Sequence, residues 1–334
     1  MRYLRIITIS LLFLPFLYSC NKELKVNAEW TDITVVYGIL SQNEDTTFIK
    51  ITKAFLGPGD ALQFAKIPDS SIYPDKLDVK LEAWLGNQLV KTDSLFDTIT
   101  IHTKKVGDSI FYYPDQLVYY CPTGQLNEEY TYKLKITNKK TGKVISSSTP
   151  LVHHFEVDNP DPYIRSAEFI PGKPWDVKWE PAYGGKRYQL LIRFHYYETT
   201  STGTVEKSVD WIVFNNYQVS DPYEKKGQPI TKTFNGDNFY TMVGIKIHID
   251  HSVFSRVARR VDYIFSVASE DLNTYMEVTE PSLTIIQERP QFSNITNGIG
   301  LFASRYVNEV DSVVLSQRTL DMMHTDTITA HRGF

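Results

Sequence analysis

Two cysteines in 334 residues exclude a disulfide-rich scaffold, and their positions, Cys20 and Cys121, exclude any C-x-x-C metal or redox pair. Glycine (17) and proline (16) are no commoner than in an average globular chain, which excludes collagen-like and low-complexity architectures. A surplus of either charge is missing too. The 35 Lys+Arg against 39 Asp+Glu leave a net of −4, whereas a nucleic-acid binder carries a clear basic excess, so no nucleic-acid partner is expected. Also absent are the G-x-S-x-G elbow, the H-E-x-x-H helix and the G-x-x-x-x-G-K-[ST] loop. What is abundant is aromatic: Tyr 21, Phe 18 and Trp 5 make up 13% of the chain, a composition that favours pleated, half-buried strands.

The first residues have the form of a secretion signal. Arg2 and Arg5 precede the apolar run Ile6–Tyr18, which is shorter than the roughly 20 residues of a membrane-spanning helix and is interrupted by Pro15. Leu17-Tyr18-Ser19-Cys20 then follows a lipobox pattern, with Cys20 the expected acylation site behind a signal peptide of residues 1–19. Two or three acyl chains anchor a protein stably without a basic patch. Asn21 after the cysteine points to the outer membrane, the surface face slightly favoured over the periplasmic one although Asn21-Lys22-Glu23 offers a single acid. Cys121, the other cysteine, is expected to be a small buried hydrophobe beside aromatics.

Residues 20–31 suit a lipid-anchored tether, and alternation dominates after them. Thr34–Leu40, Thr46–Thr52 and Leu77–Leu85 are strand candidates, and Gly86-Asn87 turns the last into a hairpin. Further strands at Thr98–Thr103, Ile110–Tyr113, Leu117–Tyr120, Tyr130–Ile136 and Lys143–Ser147 predict an antiparallel sandwich over 32–157. Asp158-Asn159-Pro160-Asp161-Pro162 is the expected boundary, and a second β-sandwich is expected over 163–288. There Val177-Lys178-Trp179-Glu180-Pro181, followed by Tyr188-Gln189-Leu190-Leu191-Ile192, resembles the B-to-C strand signature of fibronectin type III domains. The resemblance implies that Trp179 and Tyr188 pack across the sandwich. Short helices are predicted at Ser252–Arg260, capped by Asp250, and at Glu270–Val278.

A final segment, 289–334, is expected to pack on the second domain. It opens with Pro290-Gln291-Phe292-Ser293-Asn294-Ile295-Thr296-Asn297-Gly298-Ile299-Gly300-Leu301-Phe302-Ala303. This string resembles the C-terminal signature of a Bacteroidota outer-membrane lipoprotein family, the domain of unknown function numbered 4249. That resemblance implies an envelope lipoprotein associated with TonB-dependent receptors, and it brings no catalytic residue. In physical terms Asn297-Gly298 and Gly300 permit sharp turns while Phe302 is buried, so Asn294, Gly298, Gly300 and Phe302 are expected to be structural.

Candidate ligand chemistry is sparse. In His248-Ile249-Asp250-His251 the first histidine and the aspartate share a strand face while His251 points away, so three-fold ligation would need the chain to bend there, and a surface turn rather than a metal site is expected. His153-His154 face opposite ways, and Asp158 with Asp161 matches no calcium loop. The pairs Tyr112-Tyr113, Tyr119-Tyr120 and Tyr196-Tyr197 each put one ring outward on a strand. Tyr112, Tyr113, Tyr119, Tyr196 and Tyr197 are therefore candidates for stacking on a glycan or a peptide, against ordinary cross-strand pairing. The expectation is a non-enzymatic, all-β envelope lipoprotein of two tandem antiparallel sandwiches. It needs no cofactor or metal, sits on the membrane through Cys20, and serves an outer-membrane receptor or, alternatively, binds surface glycans.

Overall fold

The structure, a computed structural model, describes residues 31–56, 63, 65–93, 97–102, 115–224, 227–280 and 291–334. Cys20 with the signal segment before it, and the pair Tyr112-Tyr113, lie outside the described residues. The first half contains β1 (Thr31–Ser41), β2 (Thr46–Leu56), α1 (Pro68–Ser71), β3 (Asp78–Leu85), β4 (Gln88–Asp93), β5 (Asp97–His102), β6 (Asp115–Pro122), β7 (Thr131–Thr137) and β8 (Val144–Pro150). The second contains β9 (Val157–Asn159), β10 (Ser166–Ala167), β11 (Pro174–Trp179), β12 (Arg187–Thr200), β13 (Gly203–Gln218), β14 (Ile230–Asn235), α2 (Asp237–Lys246), β15 (Val253–Ala268), α3 (Glu270–Thr279), β16 (Ile299–Leu315), α4 (Gln317–Thr325) and α5 (Thr327–Ala330).

The fold is all-β, and its layers follow from alternation. In β3 every second residue (Val79, Leu81, Ala83) is buried, and so are Tyr132, Leu134 and Ile136 of β7. These side chains, with Ile145 of β8, face Val36, Leu40, Ile49 and Ile51 of β1 and β2 to form one core, in which Cys121 is also buried. A second core joins Leu190, Ile192, Phe194, Val261 and Phe265 of β12 and β15 to Val177 and Trp179 of β11 and to Phe239, Tyr240 and Val243 of α2. The rings of Trp179 and Tyr188, both fully buried, lie 5.8 Å apart.

The two sandwiches share a sheet. One nine-stranded sheet runs β13-β12-β15-β16-β1-β2-β6-β5, with β10 beside β16, and it is covered by β4-β3-β7-β8 at one end and β14-β11-β9 at the other. Its hinge point is β16, which pairs in parallel with β1 from Ile299 to Arg305 and antiparallel with β15 from Arg305 to Val314. Seventeen residues rising about 3.3 Å each reach roughly 56 Å, enough to serve both sandwiches. The C-terminal segment, expected on the second domain, therefore divides: Ile295 and Phe302 fill the first core, and Val310, Val313 and Leu315 the second.

A second departure from expectation is Ser252–Arg260, which is strand from Val253 onwards rather than helix. Val253, Phe254 and Val257 have helical spacing, yet fourteen residues of β12, from Arg187 to Thr200, have partners in β15. Long-range pairing overrides a local pattern of three apolar residues. Asp250 caps a turn there instead, accepting from the Ser252 backbone N–H at 2.8 Å. The helix after Ser269 forms as expected, and so does the Gly86-Asn87 hairpin between β3 and β4.

Residues 293–302 clasp the layers together. The Asn294 side chain imitates a strand partner: its Oδ1 accepts from Phe302 N (2.9 Å) and its Nδ2 donates to Phe302 O (2.7 Å) and to Asp271 of α3 (2.8 Å). Ser147 of β8 donates to Asn294 O, and Asn297 donates to Val144 O, which ties the opposite sheet to the string. Gly300 sits at φ +121°, and a Cβ there would lie 2.0 Å from Val36 O. Gly298 does not have a positive φ, so its need is different: a Cβ would meet Thr34 O at 2.7 Å. The glycines are thus required by the approach of β1.

Candidate functional site

Of the tyrosines proposed for stacking, the three among the described residues, Tyr119, Tyr196 and Tyr197, do not form a platform. Tyr119 is buried, with its hydroxyl accepting from the Leu77 N–H at 2.9 Å, because it is the inward member of its pair; Tyr120 faces outward and stacks on Phe48 at 6.3 Å. Burial also removes Tyr196, which packs on Phe194 and Phe334. Tyr197 is outward and half-buried, with the Arg259 guanidinium 5.1 Å from its ring centre. Among the histidine and aspartate candidates, Asp250 is engaged with Ser252, Asp158 pairs with Lys178 at 2.9 Å, and Asp161 accepts from the N–H groups of Tyr163 and Ile164.

What the fold brings together instead is a crease at the junction of the sandwiches, centred on Glu128. The loop after β6 is pinned by buried Leu126 and by Tyr132, whose hydroxyl accepts from Asn127 N at 2.9 Å. Asn127 in turn accepts from Glu129 N, so Glu128 and Glu129 sit on a defined turn. Opposite lies the extended stretch after β8, where His153 N donates to Tyr183 O at 2.9 Å. Gln42, in the β1–β2 turn, closes the arrangement by donating to both Glu128 and Val152 O.

Glu128 is the best-held group. One carboxylate oxygen accepts from His154 N (2.8 Å) and Gln42 Nε2 (3.2 Å), and the other meets His154 Nδ1 at 2.7 Å. Partial burial pushes its pKa up, but these hydrogen bonds and the imidazole outweigh burial and hold it below the ordinary glutamate value. The carboxylate is therefore ionised at neutral pH.

Glu128 separates two cavities. The larger, of about 570 Å³, is lined by Glu128, Glu129, Glu224, Tyr130, Tyr183, Tyr223 and His153 among others. The smaller, of about 430 Å³, lies towards Gln42, Asn43, His154 and Tyr306. His153 and Tyr183 meet edge to face at 4.9 Å, as do Tyr183 and Tyr223 at 5.5 Å. Burial raises the Tyr223 pKa, and the charges of Glu270 and Asp271 raise it further. No lysine or arginine is among the described residues lining the larger cavity.

Chemically the crease offers ionised oxygens, an imidazole and phenol rings. Neither cavity has a described serine or cysteine in its lining that could act as a nucleophile for the Glu128–His154 pair. One donor atom each from Glu128, Glu129 and His153 lie within 4.8 Å of one another, the one such convergence of His, Cys, Asp or Glu found among the described residues. A further pair, His195 and Asp262, meets at 2.6 Å on β12 and β15, where Asp262 also accepts from Ser312 N and so holds a bulge in β16. Local pattern could not single out the crease, because Gln42, Glu128, His153, Tyr183 and Tyr223 come from five separate turns and connections. The adjacent acids Glu128-Glu129 and the doublet His153-His154 were the visible signals. No protein-family model matches the chain, and no curated protein matches it.

Proposed function

We propose that the chain is a lipid-anchored outer-membrane protein that captures a ligand in the crease between its sandwiches and serves a membrane receptor of the TonB-dependent type, without catalysing a reaction. The observation that carries the reading is the crease itself: a carboxylate fixed and kept ionised by three hydrogen bonds, beside tyrosines, in a cavity of ligand size. The lipobox at Cys20 and the likeness of the 290–303 string to the 4249 lipoprotein family support the envelope setting. β1 begins at Thr31, eleven residues after Cys20, so at most about 36 Å of extended chain separates the fold from the proposed anchor. A glycan platform is less well supported, because the rings in the crease meet edge to face rather than side by side.

The test has two parts. Metabolic labelling with an acyl analogue is expected to mark the wild-type protein and not Cys20→Ala; equal label refutes the anchor. Affinity purification from gently solubilised outer membrane is expected to retain an outer-membrane receptor, and Tyr183→Ala is expected to reduce the yield several-fold. A receptor yield unaffected by Tyr183→Ala removes the crease from the reading.

A further inference from the structure

We infer that Glu128, Glu129 and His153 form a binding site for a divalent first-row transition ion, zinc being the best match to the donors. This rests on the reading of the crease as a capture site and names the class of ligand taken there. The donor atoms already lie within 4.8 Å of one another. A tetrahedral zinc shell, with bonds of about 2.0–2.2 Å, places donors roughly 3.4 Å apart. Closing the difference takes a movement of little more than an ångström, and Glu129 can make it because its side chain is exposed.

The other two donors are arranged in advance. Gln42 and His154 orient Glu128, and Tyr183 holds the His153 segment through its carbonyl and its ring. Such outer partners fix ligand direction in metal sites. Two carboxylates with one imidazole suit zinc or a neighbouring transition ion better than copper(I), which takes thiolates, or calcium, which takes six to eight oxygens. Three protein ligands leave at least one position open towards the cavity of about 570 Å³, so the ion would remain exchangeable.

The experiment is a calorimetric titration of chelator-stripped full-length protein in detergent with Zn²⁺, with Ca²⁺ as comparator and Co²⁺ absorption as a readout of geometry. One zinc per chain is expected, calcium binding at least 100-fold more weakly. Glu129→Gln and His153→Ala are each expected to lower zinc affinity at least tenfold and to abolish the intense visible Co²⁺ bands. Glu224→Gln, in the same cavity but outside the triad, is expected to stay within twofold. Glu129→Gln alters an exposed side chain, so its result stands even where His153→Ala disturbs folding. Absence of one-to-one zinc binding, or unchanged affinity in Glu129→Gln, overturns the site. Receptor co-purification from the same preparations separates the readings: receptor retained by protein that binds no zinc overturns the ion site alone. Zinc bound by protein that retains no receptor supports the ion site and overturns the receptor reading.

Discussion

Replacing Gly300 by alanine is expected to be among the most damaging single-methyl changes in the chain. The backbone there is at φ +121°, a conformation that costs a residue with a Cβ about 1–3 kcal/mol. The new carbon would also stand 2.0 Å from Val36 O, 2.9 Å from Val36 C and 3.0 Å from Val36 N. All three are backbone atoms of the neighbouring strand, so no rotamer change relieves the overlap. Moving β1 away disturbs the parallel pairing from Val35–Ile299 to Ser41–Arg305. Overpacking of this kind costs about a further 1–3 kcal/mol. The total of roughly 2–6 kcal/mol is a large share of the 5–15 kcal/mol that stabilises a typical protein. Gly203 is the control: it lies at φ +129° at the start of β13, with nothing within 4 Å of its Cβ position. Gly203→Ala therefore carries the conformational cost alone. Urea unfolding of both variants, followed by circular dichroism, should place Gly300→Ala below Gly203→Ala by about 1–3 kcal/mol. Equal losses would refute the argument that β1 presses on the clasp.

Phe302→Ala empties a fully buried site and is expected to cost about 3–5 kcal/mol; hydrogen exchange should rise first in β3, β7 and β8, and a rise confined to β11 and β14 would place Phe302 in the wrong core. Burial tends to raise the pKa of Glu198, but Lys207 and Arg256 outweigh it and leave the carboxyl below its ordinary value. A depressed folded pKa gives stability that is complete above the unfolded value of about 4.3 and is lost as pH falls through the folded one. Glu198→Gln should therefore destabilise more at pH 7 than at pH 3, and a loss independent of pH would contradict the pairing. Expressed alone, residues 163–334 should associate or aggregate through the bare 299–305 edge, and co-expression with 21–157 should restore a soluble complex; two independently monomeric, folded fragments would refute the shared sheet.

Alternation made the layers legible. β3, β7 and β12 bury every second residue along most of their length, and the two-residue turn at Gly86-Asn87 forms where its chemistry places it. Failures came where distant segments decide. Arg256 and Val257 belong to a strand because β12 lies beside them, and Tyr119 rather than Tyr120 faces the core because of the register with β2. The 290–303 string was recognisable as structural from its asparagines and glycines. That its Phe302 serves the first core depends on β1, more than 250 residues earlier in the chain. The crease was hidden for the same reason, since each turn contributes one or two residues and none repeats with a strand or helix period.

The central claim, that the crease is where this protein meets its ligand or receptor, is tested most directly by site-specific photocrosslinking on cells. A photoreactive residue at position 223, on the exposed rim of the cavity, is to be compared with one at 254, exposed near the far end of β15. The expected result is a discrete adduct with an outer-membrane protein from position 223 and none from 254. An adduct from 254 with none from 223 would contradict the claim.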